Sequence, residues 1–286
     1  MADQAQRLRE MAFAQRHAAR VLAVTSGKGG VGKSSTSINL AIALAEQGRR
    51  VVVLDADLGT ANVEVLLGLS SFYNLEHVIR GEKTLPEVLV RGPGGIQIIP
   101  GSSGLSQVAD MSQAQRQRLL SGLQDLQSLA DFIVIDTVAG IGRNAVAFAS
   151  AADEVLLIST PEPTSIVDAY AMLKTLHHAR EDVALRLIVN MAVNDAQVRA
   201  VASKLGNVSR QYLGRNLSLL GYLPRDPHVS QAVMQSVPFL LQYPQSPASR
   251  CAREMALRLM AQPVAPRREA GFLRRFAQTF GIASNA

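Results

Sequence analysis

Thr25-Ser-Gly-Lys-Gly-Gly-Val-Gly-Lys-Ser-Ser35 is the stretch on which the reading of this chain turns. Val21 to Thr25, apolar or small throughout, read as a strand that runs straight into it. Ile38-Asn-Leu-Ala-Ile-Ala-Leu44 follows at once with a helical apolar pattern. Gly27-x4-Gly32-Lys33-Ser34 therefore lies between a strand and a helix, the setting that a phosphate-binding loop requires. Glycine lets successive backbone N–H groups point at phosphate oxygens with no Cβ in the way. A helix starting near Gly32 aims its positive dipole end at the same anion. Lys33 is spaced to reach the β- and γ-phosphates, and Ser34 to offer a hydroxyl to Mg²⁺. A glycine-rich turn that binds nothing is the weaker reading, because strand and helix are both in place. The chain is expected to bind a nucleotide through Gly27, Lys28, Gly29, Gly30, Val31, Gly32, Lys33, Ser34 and Ser35.

Outward from the loop, 286 residues with 48% apolar content suit one large domain with short appendages. No run of 18 uncharged apolar residues occurs, so no transmembrane helix is expected. The first twenty residues, broken by Arg7, Arg9, Glu10 and Arg16, lack the apolar core of a signal peptide. A single cysteine, Cys251, rules out an internal disulfide, fits a reducing cytoplasm, and rules out an all-cysteine metal or cluster site within one chain. The net charge of +6 gathers at the ends. Residues 1–20 carry four Arg against Asp3 and Glu10, and residues 250–286 carry seven Arg against Glu254 and Glu269, which leaves the body close to neutral. That distribution argues against a nucleic-acid-binding body and for interactions made by the termini. Basic ends that only aid solubility fit the charge equally well.

Short apolar runs alternate with helical patterns from Val21 onward. Strands are expected at 21–25, 51–54, 96–99, 132–135, 155–159, 185–189 and 218–223. Helices are expected at 33–47, 112–129, 164–179, 195–213 and 246–261, with shorter ones near 74–80 and 227–235. Runs such as Val51-Val-Val-Leu54 and Phe132-Ile-Val-Ile135 lack period-two alternation, as strands buried on both faces do. The fold class is therefore α/β, a mostly parallel central sheet with helices on both sides. Ligands of such sheets bind at the carboxyl ends of the strands, and acidic residues stand there. Asp55 and Asp57 follow the second strand, and Asp136 closes Phe132-Ile-Val-Ile-Asp136, the pattern that holds Mg²⁺ through water. A lone strand-end Asp is ordinarily a cap or turn residue; three beside a phosphate loop are not. Asn190, Pro224 and Asp226 end later strands and individually read as turn chemistry.

Lys28, directly after the first glycine, gives Lys-Gly-Gly-Val-Gly-Lys-Ser, which resembles the deviant phosphate loop of the MinD/ParA class of P-loop ATPases. Asp55 and Asp57, then Asp136-Thr-Val-Ala-Gly-Ile141, match that class in order and spacing, over roughly residues 21–260. Within it, the chain is most similar to the MinD-like flagellar-number regulators, the FlhG/FleN group. That likeness rests on Asp55-Ala-Asp-Leu-Gly-Thr-Ala-Asn-Val-Glu-Val-Leu-Leu-Gly68, Pro100-Gly-Ser-Ser-Gly104, Thr160-Pro-Glu-Pro-Thr-Ser-Ile-Val-Asp-Ala-Tyr170 and the opening Asp3-Gln-Ala-Gln-Arg-Leu-Arg9. Two positions depart from the group: Val138, where a smaller residue or proline is usual, and Thr60, where a larger apolar residue is usual.

The resemblance implies an ATP-dependent dimerising ATPase that regulates flagellar number and placement, with ATP and Mg²⁺ as cofactors. It implies that Lys33 binds the β- and γ-phosphates, Ser34 ligates Mg²⁺ directly, Ser35 touches the α-phosphate, and Lys28 reaches the partner copy's ATP. Asp57 would orient the attacking water, Asp55 and Asp136 would hold Mg²⁺ through water, and Asn190, Pro224 and Asp226 would frame the adenine. The implied partners are a second copy of the chain, a flagellar signal-recognition-type GTPase (FlhF type) bound by Asp3, Gln4, Ala5, Leu8 and Arg9, and a flagellar transcriptional activator (FleQ type). No direct nucleic-acid contact is expected. A division-site-selecting MinD-type ATPase, a DNA-partition ParA-type ATPase, an iron–sulfur carrier and a non-hydrolysing nucleotide sensor are the alternatives. The first is disfavoured by Asp3-Gln-Ala-Gln-Arg-Leu-Arg9, the second by the neutral body and the third by the lone cysteine.

The expected organisation is a helical partner-binding arm (1–20), an ATPase domain (21–262), and a linker with a C-terminal helix (263–286). Pro263-Val-Ala-Pro266 breaks the preceding helix. At about 100° per residue, Phe272, Leu273, Phe276 and Phe280 then share one side and Arg274, Arg275 and Gln278 the other. This basic amphipathic pattern suits a helix lying in an anionic membrane interface. The competing reading docks the phenylalanines on the protein's own core; the proline linker and the look-alike group's membrane-targeting helix favour the membrane. The localisation expected is cytoplasmic, peripherally membrane-associated as the ATP-bound dimer, and polar.

Overall fold

The computed structural model describes residues 19–57, 62–101, 111–261 and 271–280. The expected arm residues Asp3, Gln4, Ala5, Leu8 and Arg9, as well as Thr60 and the Pro263–Pro266 linker, lie outside the described residues. An eight-stranded sheet runs in the order β3-β4-β2-β5-β1-β6-β7-β8. Its strands are β1 (Arg20–Thr25), β2 (Val51–Ala56), β3 (Val90–Arg91), β4 (Gln97–Ile99), β5 (Phe132–Thr137), β6 (Glu154–Ser159), β7 (Ala184–Ala192) and β8 (Ser218–Pro224). Every neighbouring pair is parallel except β3–β4. The sequence pattern does not reveal β3, a two-residue edge strand set by the tight return in which Gly92 N–H donates to Ile96 C=O at 2.9 Å.

The four central strands β1, β2, β5 and β6 are buried along their whole length. Successive side chains point to opposite faces, so β1 feeds two cores. Val21 and Ala23 pack with α3 (Leu75–Arg80), α4 (Leu85–Val88), α5 (Gln113–Leu129), α6 (Arg143–Ala151), α7 (Pro163–Ala179) and α8 (Asp195–Leu213). Leu22 and Val24 pack with α1 (Lys33–Glu46), α2 (Asn62–Leu67), α9 (Pro227–Met234), α10 (Phe239–Gln242) and α11 (Pro247–Ala261). Each fully buried large apolar side chain stabilises the fold by about 1.5–3 kcal/mol before ordering entropy is counted. The layered α/β architecture is the one expected.

At the amino ends of the strands, the start of β1 lies against the end of α11. Arg20 donates to Leu259 C=O, near the end of α11, and pairs with Glu154, which also pairs with Arg186. These three charges are buried, and their mutual neutralisation is what permits it. Next to them, the Asp153 carboxylate accepts from Val21 N–H at 2.9 Å and from Arg275 at 2.6 Å.

Arg275 belongs to α12 (Gly271–Thr279), and here the structure departs from the membrane expectation. Phe272 and Phe276 are buried in the core, with Leu273 and Phe280 partly buried against it. The Phe148 ring of α6 lies 5.5 Å from that of Phe276 and 5.3 Å from that of Phe280. The face expected to meet lipid is covered by the protein itself. The reason is physical: an apolar stripe is satisfied by any surface that excludes water, and α6 offers one nearby.

Candidate nucleotide-binding site

The phosphate loop joins β1 to α1 and is shaped by two glycines that admit no substitute. A Cβ on Gly27 would stand 2.0 Å from Asp168 C=O on α7, so the loop can lie against that helix only without a side chain. Gly32, at the start of α1, holds φ 83°, ψ 25°, a left-handed conformation natural to glycine, and a Cβ there would strike the Asn190 amide. No side chain caps α1, which leaves amides of its first turn available to an anion.

Below the loop, Asp55 of β2 and Asp136 of β5 sit side by side in register, both fully buried. Asp136 Oδ1 accepts from Lys33 Nζ and from Ser37 Oγ, each at 2.9 Å. Asp55 accepts from the backbone N–H of Asp57 at 3.0 Å and of Val63 at 3.3 Å. Burial, with the Asp136 charge adding to it, pushes the Asp55 carboxyl up to about 7 despite those hydrogen bonds. Asp57 Oδ2 accepts from Asn62 Nδ2 at 2.8 Å, which fixes that carboxylate's direction. The segment after β5 is tied to the loop, with Gly140 N–H donating to Ser26 C=O at 2.8 Å. Val138 packs partly buried against the core.

Lys28 behaves differently from Lys33. Its Nζ lies 3.2 Å from both Glu162 and Thr164 at the start of α7, and its side chain is 41% exposed. One lysine is thus held inside its own loop and the other stands at the surface.

The fold brings Lys33, Asp55, Asp57 and Asp136 to one cluster at the strand ends; Ser34 and Ser35 follow on the first turn of α1. Sequence reasoning assigns no role to Ser37, Asn62, Glu162 and Thr164; the last three lie in stretches that carry the family resemblance, but only the fold shows what each side chain touches. The three residues expected at the adenine turn out to have structural partners. Asn190 Nδ2 donates to Val31 C=O at 2.7 Å and its Oδ1 accepts from Met191 N–H at 2.8 Å, so the amide braces the phosphate loop. Asp226 caps α9 through His228 N–H at 3.0 Å and holds Ala248 N–H of α11 at 3.2 Å. Burial works against its charge, but these hydrogen bonds win and keep its carboxyl below the ordinary range. Pro224 closes β8.

A family model described as ParA, "NUBPL iron-transfer P-loop NTPase", matches residues 17–260. The chain belongs to the ParA/MinD family of P-loop NTPases. Among relatives, the antiactivator FleN of Pseudomonas aeruginosa is 42% identical over 262 residues, covering 92% of this chain and 93% of that one. The flagellum site-determining protein YlxH of Helicobacter pylori is 38% identical, covering 70% and 71%. Among solved structures, the MinC:MinD complex of Aquifex aeolicus matches with a TM-score of 0.70 at 26% identity, covering 87% of this chain and 99% of that one. MinD of Pyrococcus horikoshii with Mg-ADP matches with a TM-score of 0.68 at 24% identity, covering 85% and 96%.

A ParA/MinD-family site implies a nucleotide and Mg²⁺, and the residues fit both. Asp136 Oδ2 is buried and has no hydrogen-bond partner among the described residues, an acceptor suited to a metal-bound water. The Ser34 hydroxyl, Asp55 and Asp136 make an all-oxygen donor set, which suits Mg²⁺. When bound, the ion would neutralise phosphate charge. The chain's own contributions would then be the loop amides and Lys33 toward phosphate oxygens and the Asn62-braced Asp57 carboxylate toward a water.

Proposed function

We propose that this protein is an ATP-dependent switch that dimerises with ATP, hydrolyses it slowly, and regulates the number and placement of flagella. The observation that carries the reading is Lys28. A lysine of the phosphate loop that stands at the surface, held by a screened pair with Glu162 and a hydrogen bond to the Thr164 hydroxyl, is available to the phosphates of a second copy. A lysine supplied in trans makes hydrolysis depend on dimerisation, and dimerisation on the γ-phosphate. Asp57 is the residue that orients water, and Asp55 and Asp136 support Mg²⁺ from behind.

The flagellar assignment rests on the relatives at 42% and 38% identity, whose names concern flagellar regulation. By the same reading the arm at residues 1–20 engages a flagellar GTPase through Asp3, Gln4, Ala5, Leu8 and Arg9, and the body engages a transcriptional activator. The C-terminal helix reaches an anionic membrane once α12 leaves its seat on α6. No helix among the described residues is long and apolar enough to cross a membrane, so attachment is peripheral. The iron-transfer name of the family model does not carry over, because Cys251 is the chain's one cysteine and a cluster takes four ligands.

The deciding experiment measures the molar mass of the purified protein by light scattering with ADP and with ATP, beside ATP turnover at several protein concentrations. A doubling of mass with ATP alone, and turnover per molecule that rises with concentration, is the expected result. ATP binding without either would leave a non-hydrolysing nucleotide sensor.

A further inference from the structure

Docking of α12 closes a cleft of about 1000 Å³ whose other walls are α6 and α7. None of its lining residues belongs to the phosphate loop. Four guanidiniums line it, those of Arg143, Arg180, Arg274 and Arg275, against the single carboxylate of Asp182. Two of the four are committed. Arg180 bonds Asp182 at 2.7 Å and the carbonyls of Ser150 and Ala152, and Arg275 bonds Asp153 and Ala151 C=O. The other two are not: among the described residues neither Arg143 nor Arg274 has a hydrogen-bond or ion-pair partner. One comes from the body and one from the tail. Ile141 and Phe280 give the same cleft an apolar strip, and Ile141 is 52% exposed.

We propose that this cleft binds a phosphate-bearing anion, with Arg143 and Arg274 as its ligating side chains. A guanidinium presents paired N–H donors in a fixed fork that matches two phosphate oxygens. A phosphate between the two arginines would join the first turn of α6 to the outer face of α12. The occupied cleft therefore staples the tail to the body. Binding needs the docked tail, so by linkage it favours docking by the same factor. The phosphate is either free in solution or the headgroup of a lipid whose chains lie along Ile141 and Phe280.

The test uses the full-length protein saturated with ADP and Mg²⁺, which fills the phosphate loop, and follows amide hydrogen exchange of α12. Inorganic phosphate is added in one arm. Soluble dihexanoyl-phosphatidylglycerol below its micelle concentration is added in the other. At ten times its Kd an anion that binds only the docked form slows this exchange about tenfold. Slowing in both arms, or with free phosphate alone, supports the site and identifies phosphate itself as sufficient. Slowing with the lipid alone supports it and identifies the headgroup source. Arg143→Gln with Arg274→Gln should remove the slowing while ADP affinity is unchanged, since neither residue belongs to the phosphate loop. No slowing by either anion, or equal slowing in the double variant, overturns the proposal.

Discussion

The Asp57 carboxylate is the residue on which turnover should depend most. Unlike Asp55 and Asp136 it is only partly buried, and Asn62 holds its orientation. Asp57→Ala should keep ATP binding and the ATP-bound dimer while turnover falls by roughly 10²–10⁴-fold, the usual weight of a positioned proton acceptor. Asn62→Ala should lower turnover less, because it loosens the carboxylate without removing it. Wild-type turnover in Asp57→Ala would move the role to Asp55. Asp55 carries its own signature. Its carboxyl sits at about 7 in the folded chain against the ordinary 3.8, so the folded form holds the proton more tightly. The stability this gives is fully present below about pH 4, declines as pH rises, and is gone above about 7. In nucleotide-free protein, the Tm of Asp55→Asn relative to wild type should therefore rise between about pH 4 and pH 7; a flat difference would show that Asp55 ionises freely. The acids and Lys33 are legible in the sequence because each follows a strand or fills a spaced motif. The roles of Ser37 and Glu162 are not, because their partners lie 99 and 134 residues away; Asn62 stands five residues from Asp57 within a stretch that carries the resemblance, but that likeness assigns its side chain no role.

Among the elements, the strands declare themselves through continuous apolar runs. The β7–β8 irregularity does not. Of the two register shifts there, the one between Asn190 and Ala192 coincides with Met191 at φ 58°, a left-handed backbone unusual for its side chain. Asn190, beside this irregularity, donates to Val31 C=O in the phosphate loop, a contact its place at a strand end does not announce. The tail shows a different limit. Its helix and its apolar face are plain in the spacing of Phe272, Leu273, Phe276 and Phe280, yet an apolar face does not encode which surface will cover it. The structure supplies that answer, and it makes docking measurable. Phe276 is fully buried between Phe148, Phe272 and Phe280. Phe276→Ala should cost about 3–5 kcal/mol of docking, enough to raise hydrogen exchange in α12 by more than 10²-fold. The Tm of the domain should change far less, because α12 lies outside the sheet's connectivity. Unchanged exchange in α12 would mean that the aromatic contacts do not hold the helix.

For the molecule as a whole, the C-terminal helix and the nucleotide site are linked through α6. Asp136 is the penultimate residue of β5, Gly140 just beyond that strand bonds the phosphate loop, and α6 begins at Arg143 and carries Phe148 under the tail. A movement of the 137–142 segment on nucleotide binding would therefore reach the seat of α12 through α6. On the proposed function, once undocked a single short helix with four apolar anchors would bind a bilayer marginally, whereas a dimer would insert its second copy at high effective concentration. Arg267, Arg268, Arg274 and Arg275 each add about 1 kcal/mol of attraction near an anionic surface. Co-sedimentation with anionic vesicles should therefore be stronger with ATP than with ADP and should weaken as salt is raised. Phe276→Glu separates docking from insertion. It should expose α12 to exchange in either nucleotide state and yet abolish sedimentation, because the charge that breaks the seat on α6 also lies in the face that would enter lipid. Deletion of residues 267–286 should remove sedimentation altogether. ATP-dependent sedimentation that survives this deletion would show that α12 belongs to the domain as a permanent core helix and that some other surface meets the membrane.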